Sequence, residues 1–139
     1  GVIFLFMGIG MLVAAVMHPR TAAALNPLLA AAVPSSPWLL FAFFAVLSPA
    51  ALYRGPLNMY GMGAGIAVLL AALGETPLAV LCGAFIAVGS MQGADPTNSQ
   101  NVWLSGFARV EAGEVLRKMF PYAWGACVIM LLYVTLTRW

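Results

Sequence analysis

The sequence predicts an all-α integral membrane protein, with spanning helices, a re-entrant helical hairpin and an unwound (discontinuous) helix. Hydrophobic residues make up 63% of the 139 positions and charged residues only 7%, against roughly 25% charged in soluble domains. Two polar, helix-breaking segments, 48–58 and 93–101, interrupt the apolar stretches. Because irregular backbone survives at membrane depth only inside protein or around a polar cavity, both breaks are candidate functional segments.

Charge and cysteine content exclude several other classes. The net charge is only +2, and no basic run is interleaved with aromatic residues, which argues against a nucleic-acid partner. Cys82 and Cys127 lie in apolar stretches without CxxC or Cys/His spacing. We therefore expect reduced packing cysteines, no metal site and no cofactor.

The first predicted element is a spanning helix over residues 2–17, somewhat short of the roughly 20 residues that a bilayer requires. His18-Pro19-Arg20 ends it, and His18 is expected at the membrane interface. No basic region or small-residue cleavage site typical of a signal peptide is visible. We expect the whole of 1–139 to form a single transmembrane domain that is a fragment or a half-transporter.

An interfacial helix is predicted next, over residues 21–33. At 1.5 Å per residue it is about 20 Å long, too short to span, and Asn26-Pro27 is expected to interrupt it. Ser36 is a plausible N-cap for the following helix, with Pro37 at its first position.

Residues 37–73 are predicted to form the re-entrant hairpin. Two apolar arms, Trp38–Leu47 and Met59–Leu73, flank a polar tip rich in proline and glycine. Each arm is shorter than the roughly 20 residues of a full crossing. The alternative is one full helix ending at Tyr53 and a second starting near Gly55, with the intervening arginine at the interface.

The broken helix is predicted over residues 77–108, after a turn at Gly74–Pro77. Its first half runs into the polar segment 93–101, and its second half is apolar again. Pro96 lacks an N–H and clashes with the preceding turn, so the helix must stop near Asp95.

The last two predicted elements are an amphipathic interfacial helix over 109–119 and a final span over 121–137 that begins at Pro121. Half of the charged residues of the protein lie in the amphipathic helix. Because basic residues favour the inner face, we expect segment 109–118 in the cytoplasm. The hairpin then enters from the external face, and the expected location is the bacterial inner (plasma) membrane.

The residues of the 93–101 break carry groups that can bind ions. A stopped helix frees carbonyls, and these oxygens, with those of Thr97, Asn98 and Ser99, are hard ligands suited to Na⁺. The start of the next half-helix favours a carboxylate. Asp95 has three possible roles: cation ligand, carrier of a coupling proton, or cap of the second half-helix. The alternative is an ordinary loop outside the membrane, since Asp-Pro-Thr-Asn is also turn chemistry.

The tip at 48–58 offers a fixed positive charge. Arg54 has a planar guanidinium that can hold a carboxylate through two hydrogen bonds. The alternative is an arginine that extends to the interface. Asn58 begins the returning helix and could cap it or face a substrate.

This order of elements resembles the C-terminal repeat of transporters in the ion transporter superfamily, which includes citrate, gluconate and dicarboxylate permeases. The likeness lies in the tip Ser48-Pro49…Arg54-Gly55-Pro56…Asn58 and in the unwound Asp95-Pro-Thr-Asn-Ser99. Dicarboxylate members have a Ser-Asn-Thr signature at such positions. Here Thr97-Asn98-Ser99 has similar chemistry in a different order, and the tip lacks the triplet.

The resemblance implies one repeat of an inverted-repeat secondary transporter that carries a small organic anion with Na⁺ or H⁺. The implied partners are the lipid bilayer, the other repeat on the same or a separate chain, and a second copy in a homodimer. The expected substrate-binding residues are Ser48, Arg54, Gly55, Asn58, Thr97 and Asn98, and the expected coupling-ion residues are Asp95, Thr97, Asn98 and Ser99.

Two other classes compete with a transporter. An enzyme is disfavoured because Asp95 has no obvious acid or base partner on the chain. A non-transporting membrane subunit, which assembles with a larger transporter or channel, stays open. In that case both polar breaks would serve as contacts between helices.

Overall fold

The computed structural model describes residues 2–32, 36–74 and 76–138, and these ranges are built from helices, as the sequence predicts. Two 3₁₀ segments, Ser48–Arg54 and Ser90–Gly93, directly extend the third and fifth α-helices. The α-helices are α1 (Val2–Met17), α2 (Pro19–Ala32), α3 (Pro37–Leu47), α4 (Gly63–Leu73), α5 (Leu78–Gly89), α6 (Ser99–Ala108) and α7 (Ala112–Arg138).

In the part of the chain that the structure describes, two helical segments are long and apolar enough to cross a membrane, Pro37–Arg54 and Ala112–Arg138. The predicted last span lies within the second of them. Helix α1 has 16 residues, fewer than the roughly 20 of a full crossing, so its spanning role stays a prediction. Helical backbone angles within Pro37–Arg54 end before Leu52 and Tyr53, so the alternative of a full helix that ends near Tyr53 also stays a prediction.

Helix α3 and helix α4 pack against different neighbours. Helix α3 contacts α5 and α7, whereas α4 contacts α1, α2 and α5. Helix α4 ends at Gly74, whose φ of 70° is the left-handed conformation that favours glycine at a helix C-terminus. The re-entrant hairpin remains a prediction for this part of the chain.

The helix boundary predicted at Pro121 is wrong. Helix α7 is continuous from Ala112 to Arg138 with Pro121 inside it. Proline removes one backbone hydrogen bond, but Leu116 and Phe120 on one side and Ala123 on the other pack into the core. These contacts hold the helix together across the missing bond.

The interruption predicted at Asn26-Pro27 is likewise absent. Helix α2 runs from Pro19 to Ala32 with Pro27 inside it. Pro19 stands at the first position of α2. Proline is favourable there because an N–H at that position has no hydrogen-bond partner within the helix. At the next helix, the predicted Ser36 N-cap and Pro37 start are confirmed, although the Ser36 side chain makes no capping hydrogen bond.

The core lies where α3, α5 and α7 meet. Phe44 of α3 and Phe85 of α5 are almost fully buried, and their rings pack edge to face with centroids 5.6 Å apart. From α7, Cys127 and Leu131 fill the same cluster. This packing holds both 3₁₀ segments in place, because each continues directly from a core helix.

Gly83 sets the close approach of α5 to α7. A Cβ added at Gly83 would lie 2.7 and 2.8 Å from the two γ-carbons of Val134. We expect Gly83→Ala to destabilise the protein by about 1 to 3 kcal/mol, the usual cost of overpacking. Thermal unfolding in detergent would show this as a lower Tm.

Gly89→Ala on the same helix is the matched control, because a Cβ there meets nothing within 4 Å. Its Tm should stay the same or rise. Val134→Ala should recover most of the loss caused by Gly83→Ala in a double-mutant cycle. Equal Tm values for the two glycine variants would contradict the close contact.

Candidate functional site

The two sequence breaks meet in space. The 3₁₀ segments Ser48–Arg54 and Ser90–Gly93 contact each other, and a cleft of about 410 Å³ opens between the loops that follow them. We call it the polar cleft. It is lined by Arg54, Asn58, Tyr60, Gln92, Gly93, Asp95, Thr97, Asn98 and Gln100.

The first wall of the polar cleft is a tight chain reversal. Tyr53 and Arg54 both have a positive φ, at 55° and 56°, a left-handed conformation that costs of order 1 kcal/mol or more for residues other than glycine. The N–H of Gly55 closes the reversal by donating to the carbonyl of Leu52 at 3.0 Å. This backbone presents the exposed Arg54 side chain to the polar cleft.

Asn58 holds that reversal in shape. Its Nδ2 donates to the carbonyl of Ala51 at 3.0 Å, and its Oδ1 accepts from the N–H of Tyr60 at 2.9 Å. Its own carbonyl accepts from Gly61 and Gly63. Asn58 is 4% exposed, so its contribution to the site is chiefly to fix the loop that carries Arg54.

Asp95 shapes the second wall. Its Oδ1 accepts from the Thr97 N–H at 2.8 Å and from the Thr97 hydroxyl at 2.7 Å, which forms a local turn. Asp95 is only 2% exposed although it lines the polar cleft. Among the described residues, its second oxygen accepts no hydrogen bond, so one oxygen remains for a cation, a proton or a ligand.

The cap of the second half-helix is Asn98 rather than Asp95. The Asn98 Oδ1 accepts from the N–H of Gln100 at 3.3 Å, and the residue has extended backbone angles typical of an N-cap. Of the three roles open to Asp95, capping is therefore taken by another residue.

Side-chain amides bind the carbonyls that the broken helix frees. Asn98 Nδ2 donates to the carbonyl of Gln92 at 3.1 Å. Asn101 Nδ2 donates to the carbonyls of Gly93 at 3.0 Å and Asp95 at 2.8 Å. The carbonyls predicted as cation ligands thus already accept hydrogen bonds within the chain.

Five of the eight predicted site residues line the polar cleft together. They are Arg54, Asn58, Asp95, Thr97 and Asn98. The break also contains Ser99, which is exposed at the first position of α6 and does not line the polar cleft.

Ser48 and Gly55 lie behind the polar cleft instead of lining it. Ser48 is fully buried, and its hydroxyl donates to the carbonyl of Ala45 at 3.0 Å, beside the Cys127 thiol. Gly55 packs tightly, since an added Cβ would clash with the carbonyl oxygen of Ala50. Both residues support the tip, and neither is placed to touch a bound molecule in this structure.

Sequence reasoning missed three polar residues that line the polar cleft, Tyr60, Gln92 and Gln100. Each lies within three residues of a site residue that was predicted. It also missed Asn101, the buried amide that binds the broken backbone. The signal available for Asn101 was its place at the start of an otherwise apolar half-helix, directly after the polar residues Ser99 and Gln100.

Helix α7 ties both breaks to the core. The Trp124 indole N–H donates to the carbonyl of Ala45 at 3.0 Å, near the end of α3. The Ser90 hydroxyl, at the start of the second 3₁₀ segment, donates to the carbonyl of Ala123 at 3.2 Å. Two consecutive residues of one helix therefore hold both walls of the polar cleft.

The polar cleft combines one positive and one negative side chain with amides and hydroxyls. Arg54 can bind a carboxylate with two hydrogen bonds, and Asp95 with Thr97 offers hard oxygen ligands. Within the described ranges, no three His, Cys, Asp or Glu side chains are grouped as a metal site. Comparison of the chain with protein-family models, curated proteins and solved structures gave no match.

Proposed function

We propose that this chain is part of a secondary active transporter that moves a small organic anion, a carboxylate, together with Na⁺ or H⁺. The observation that carries the proposal is the meeting of the two breaks in one polar cleft. Arg54 and Asp95, which are 41 positions apart in the sequence, line the same space. Polar, irregular backbone between apolar helices is typical of transport sites.

In the proposed site, Arg54 binds the carboxylate of the substrate. Helix α6 begins at the polar cleft with Asn98 as its cap, and the partial positive charge of its first turn favours the same anion. Asn58 and Asn98 act mainly as positioning residues, because their amides already bind the backbone. Tyr60, Gln92 and Gln100 supply the polar groups that are free to turn towards a substrate.

Asp95 is the proposed site of the coupling ion, with Thr97 beside it. Its second oxygen is the acceptor left open after the local turn has formed. Binding of a cation or proton there would compensate a buried negative charge. Charge balance then couples the ion to the substrate, because the filled polar cleft holds two positive and two negative groups when the ion is Na⁺.

The resemblance adds the larger assembly to the proposal. We propose a re-entrant hairpin over 37–73, one repeat of an inverted-repeat fold, and a homodimer completed by the other repeat. The bacterial inner membrane is the proposed location, with 109–118 in the cytoplasm. In a Cys82→Ala background, a cysteine placed at exposed Lys118 should then react with a membrane-impermeant thiol reagent from the inner side only.

Substrate uptake tests the function. The complete protein in liposomes should accumulate at least one radiolabelled carboxylate under an imposed Na⁺ or proton gradient. We expect Arg54→Gln to lower this uptake at least tenfold, because a hydrogen bond to a charged group contributes about 1.5 to 3 kcal/mol.

Arg109→Gln is the matched control for Arg54→Gln. Arg109 is also an exposed arginine with a left-handed backbone, at φ 53°, but it lies outside the polar cleft. Its variant should transport normally. Equal losses in the two variants, with folding intact, would contradict the assignment of Arg54 as the anion-binding residue.

The second candidate function is a non-transporting subunit of a larger transporter or channel. It is favoured by the amides of Asn58, Asn98 and Asn101, which hydrogen bond to the chain's own backbone. In that case no carboxylate would be accumulated, and Arg54→Gln or Asp95→Asn would change assembly with the partner instead. Co-purification of the variants with the native partner separates the two functions.

A further inference from the structure

An apolar groove adjoins the polar cleft. It has a volume of about 530 Å³ and lies between α4 and α5. Tyr60 and Gln92 line both spaces, so the groove and the polar cleft lie next to each other at these two residues. The groove has no charged side chain among its lining residues.

The two walls of the groove differ in shape. Helix α4 contributes the small residues Ala64, Ala67 and Ala71, which recur along one face. Helix α5 contributes large apolar residues, including Phe85 and Ile86. The distance along α4 from Ala64 to Ala71 is about 10 Å at 1.5 Å per residue, so the groove can take a narrow apolar group of about that length.

Gly89, at the end of α5, lines the groove near Gln92, and a Cβ added there would meet nothing within 4 Å. No neighbouring side chain therefore fills the space beside Gly89. A molecule bound in the polar cleft would reach the groove by passing Tyr60 and Gln92.

Charge limits the number of carboxylates that the polar cleft can hold. Its lining contains one cation, Arg54, and one anion, Asp95. With the coupling ion at Asp95 and one carboxylate at Arg54, the charges in the polar cleft are already paired, so a second substrate carboxylate there would have no cation of its own. In the apolar groove, no group among the lining residues could pair with it either.

We propose that the substrate is a monocarboxylate with an apolar body, bound with its carboxylate at Arg54 and its body in the groove between α4 and α5. This inference rests on the proposed function, since it names the substrate class of the same site. It excludes small polycarboxylates as the preferred substrates. It also explains why a polar transport site adjoins a groove lined by alanines.

Alkylation of Cys82 measures occupancy of the groove without transport. Cys82 is exposed and lines the groove, whereas Cys127 is fully buried in the core. N-ethylmaleimide should therefore label Cys82 in the folded complete protein, and labelling of Cys127 would report unfolding. Mass spectrometry distinguishes the two sites.

Straight-chain monocarboxylates should protect Cys82 more strongly as they lengthen. From butanoate to octanoate, the concentration that halves the labelling rate should fall roughly fourfold for each added CH₂. Octanedioate has the same length with a second carboxylate, and octan-1-ol has the same body without one. Both should protect at least tenfold more weakly than octanoate.

Two variants locate the head and the body of the ligand. Arg54→Gln should weaken protection by octanoate to the level of octan-1-ol. Ala71→Trp should weaken protection by octanoate but not by butanoate, because it fills only the far end of the groove. Ala72→Trp is the matched control, since Ala72 is also exposed on α4 but does not line the groove.

Equal protection by octanoate and octan-1-ol, or by octanoate in wild type and Arg54→Gln, would overturn the inference. The groove would then hold any apolar chain, as a lipid-facing surface does. Equal protection by octanedioate would overturn it too. Protection without uptake would refute the proposed transport function alone, whereas uptake of a short dicarboxylate with Cys82 fully reactive would refute this inference alone.

Discussion

Replacing Asn101 with alanine is expected to disrupt the broken helix more than any other single change in α6. The Asn101 amide donates to the carbonyls of Gly93 and Asp95, and the side chain is 7% exposed. Without the amide, the Asp95 carbonyl keeps the N–H of Asn98 at 3.1 Å, whereas the Gly93 carbonyl loses its side-chain donor, which costs about 1 to 3 kcal/mol. We therefore expect a loss of about 1 to 3 kcal/mol in stability, measured as a lower Tm in detergent, together with loss of uptake.

A second substitution at the same position tests whether the donating amide is required. Asn101→Asp keeps the size of the side chain but replaces the donating amide with an acceptor facing two carbonyls, so it should be at least as harmful as alanine. Val102→Ala is the control, because Val102 is the next residue on α6 and is exposed. If Asn101→Ala had the same Tm as Val102→Ala, the Asn101 amide would not stabilise the broken helix.

Replacing Gly55 with alanine is expected to displace Arg54 without unfolding the core. The added Cβ would clash with the carbonyl oxygen of Ala50 and would lie 3.0 Å from that of Leu52. Both are backbone atoms of the preceding turn, so relief requires the tip itself to move. We expect uptake to fall about as far as in Arg54→Gln, while the Tm of the helical core changes little.

Gly113→Ala is the control for this substitution. Gly113 lies near the start of α7, and a Cβ there meets nothing within 4 Å. Its uptake and Tm should match wild type. Normal uptake by Gly55→Ala would show that the tip tolerates rearrangement, and the tight reversal would then not be needed to position Arg54.

The positions of the breaks could be predicted because they depend on local chemistry. Pro96 and the run of polar residues around it favour a turn over a helix, and α3 ends just before Ser48-Pro49 at the tip. The structure places 3₁₀ segments at both sites. Arg54 and Asp95 were expected in one site because two broken apolar segments are typical of transporters. Both line the polar cleft, and their binding roles stay predictions.

Which polar group binds which partner could not be predicted. Asp95, Asn98 and Asn101 are all able to cap a helix or bind a carbonyl, and the choice depends on how α6 approaches the end of α5. The structure gives the cap to Asn98 and the carbonyls mainly to Asn101. Ser48 was expected to bind substrate, but it is buried beside Cys127. That position could not be predicted either, because it depends on packing against α7.

The apolar groove could not be predicted from the sequence either. Alanines at 64, 67 and 71 read as ordinary packing positions in a membrane helix. They form a groove only because α5 meets α4 with Tyr60 and Gln92 at its end. Similarly, proline was expected to divide the last helix, but contacts on both sides of Pro121 outweigh its one missing hydrogen bond.

Because α7 is one continuous helix, its charged N-terminal end and the part that contacts both breaks belong to the same rod. Its 27 residues make it about 40 Å long at 1.5 Å per residue, roughly 10 Å longer than the hydrocarbon core. Exposed Arg117 and Lys118 lie on one end of the rod, and Ala123 and Trp124 hold the two breaks further along it. Because both bonds are made by adjacent residues of α7, we expect a tilt of this helix to carry both walls of the polar cleft in the same direction.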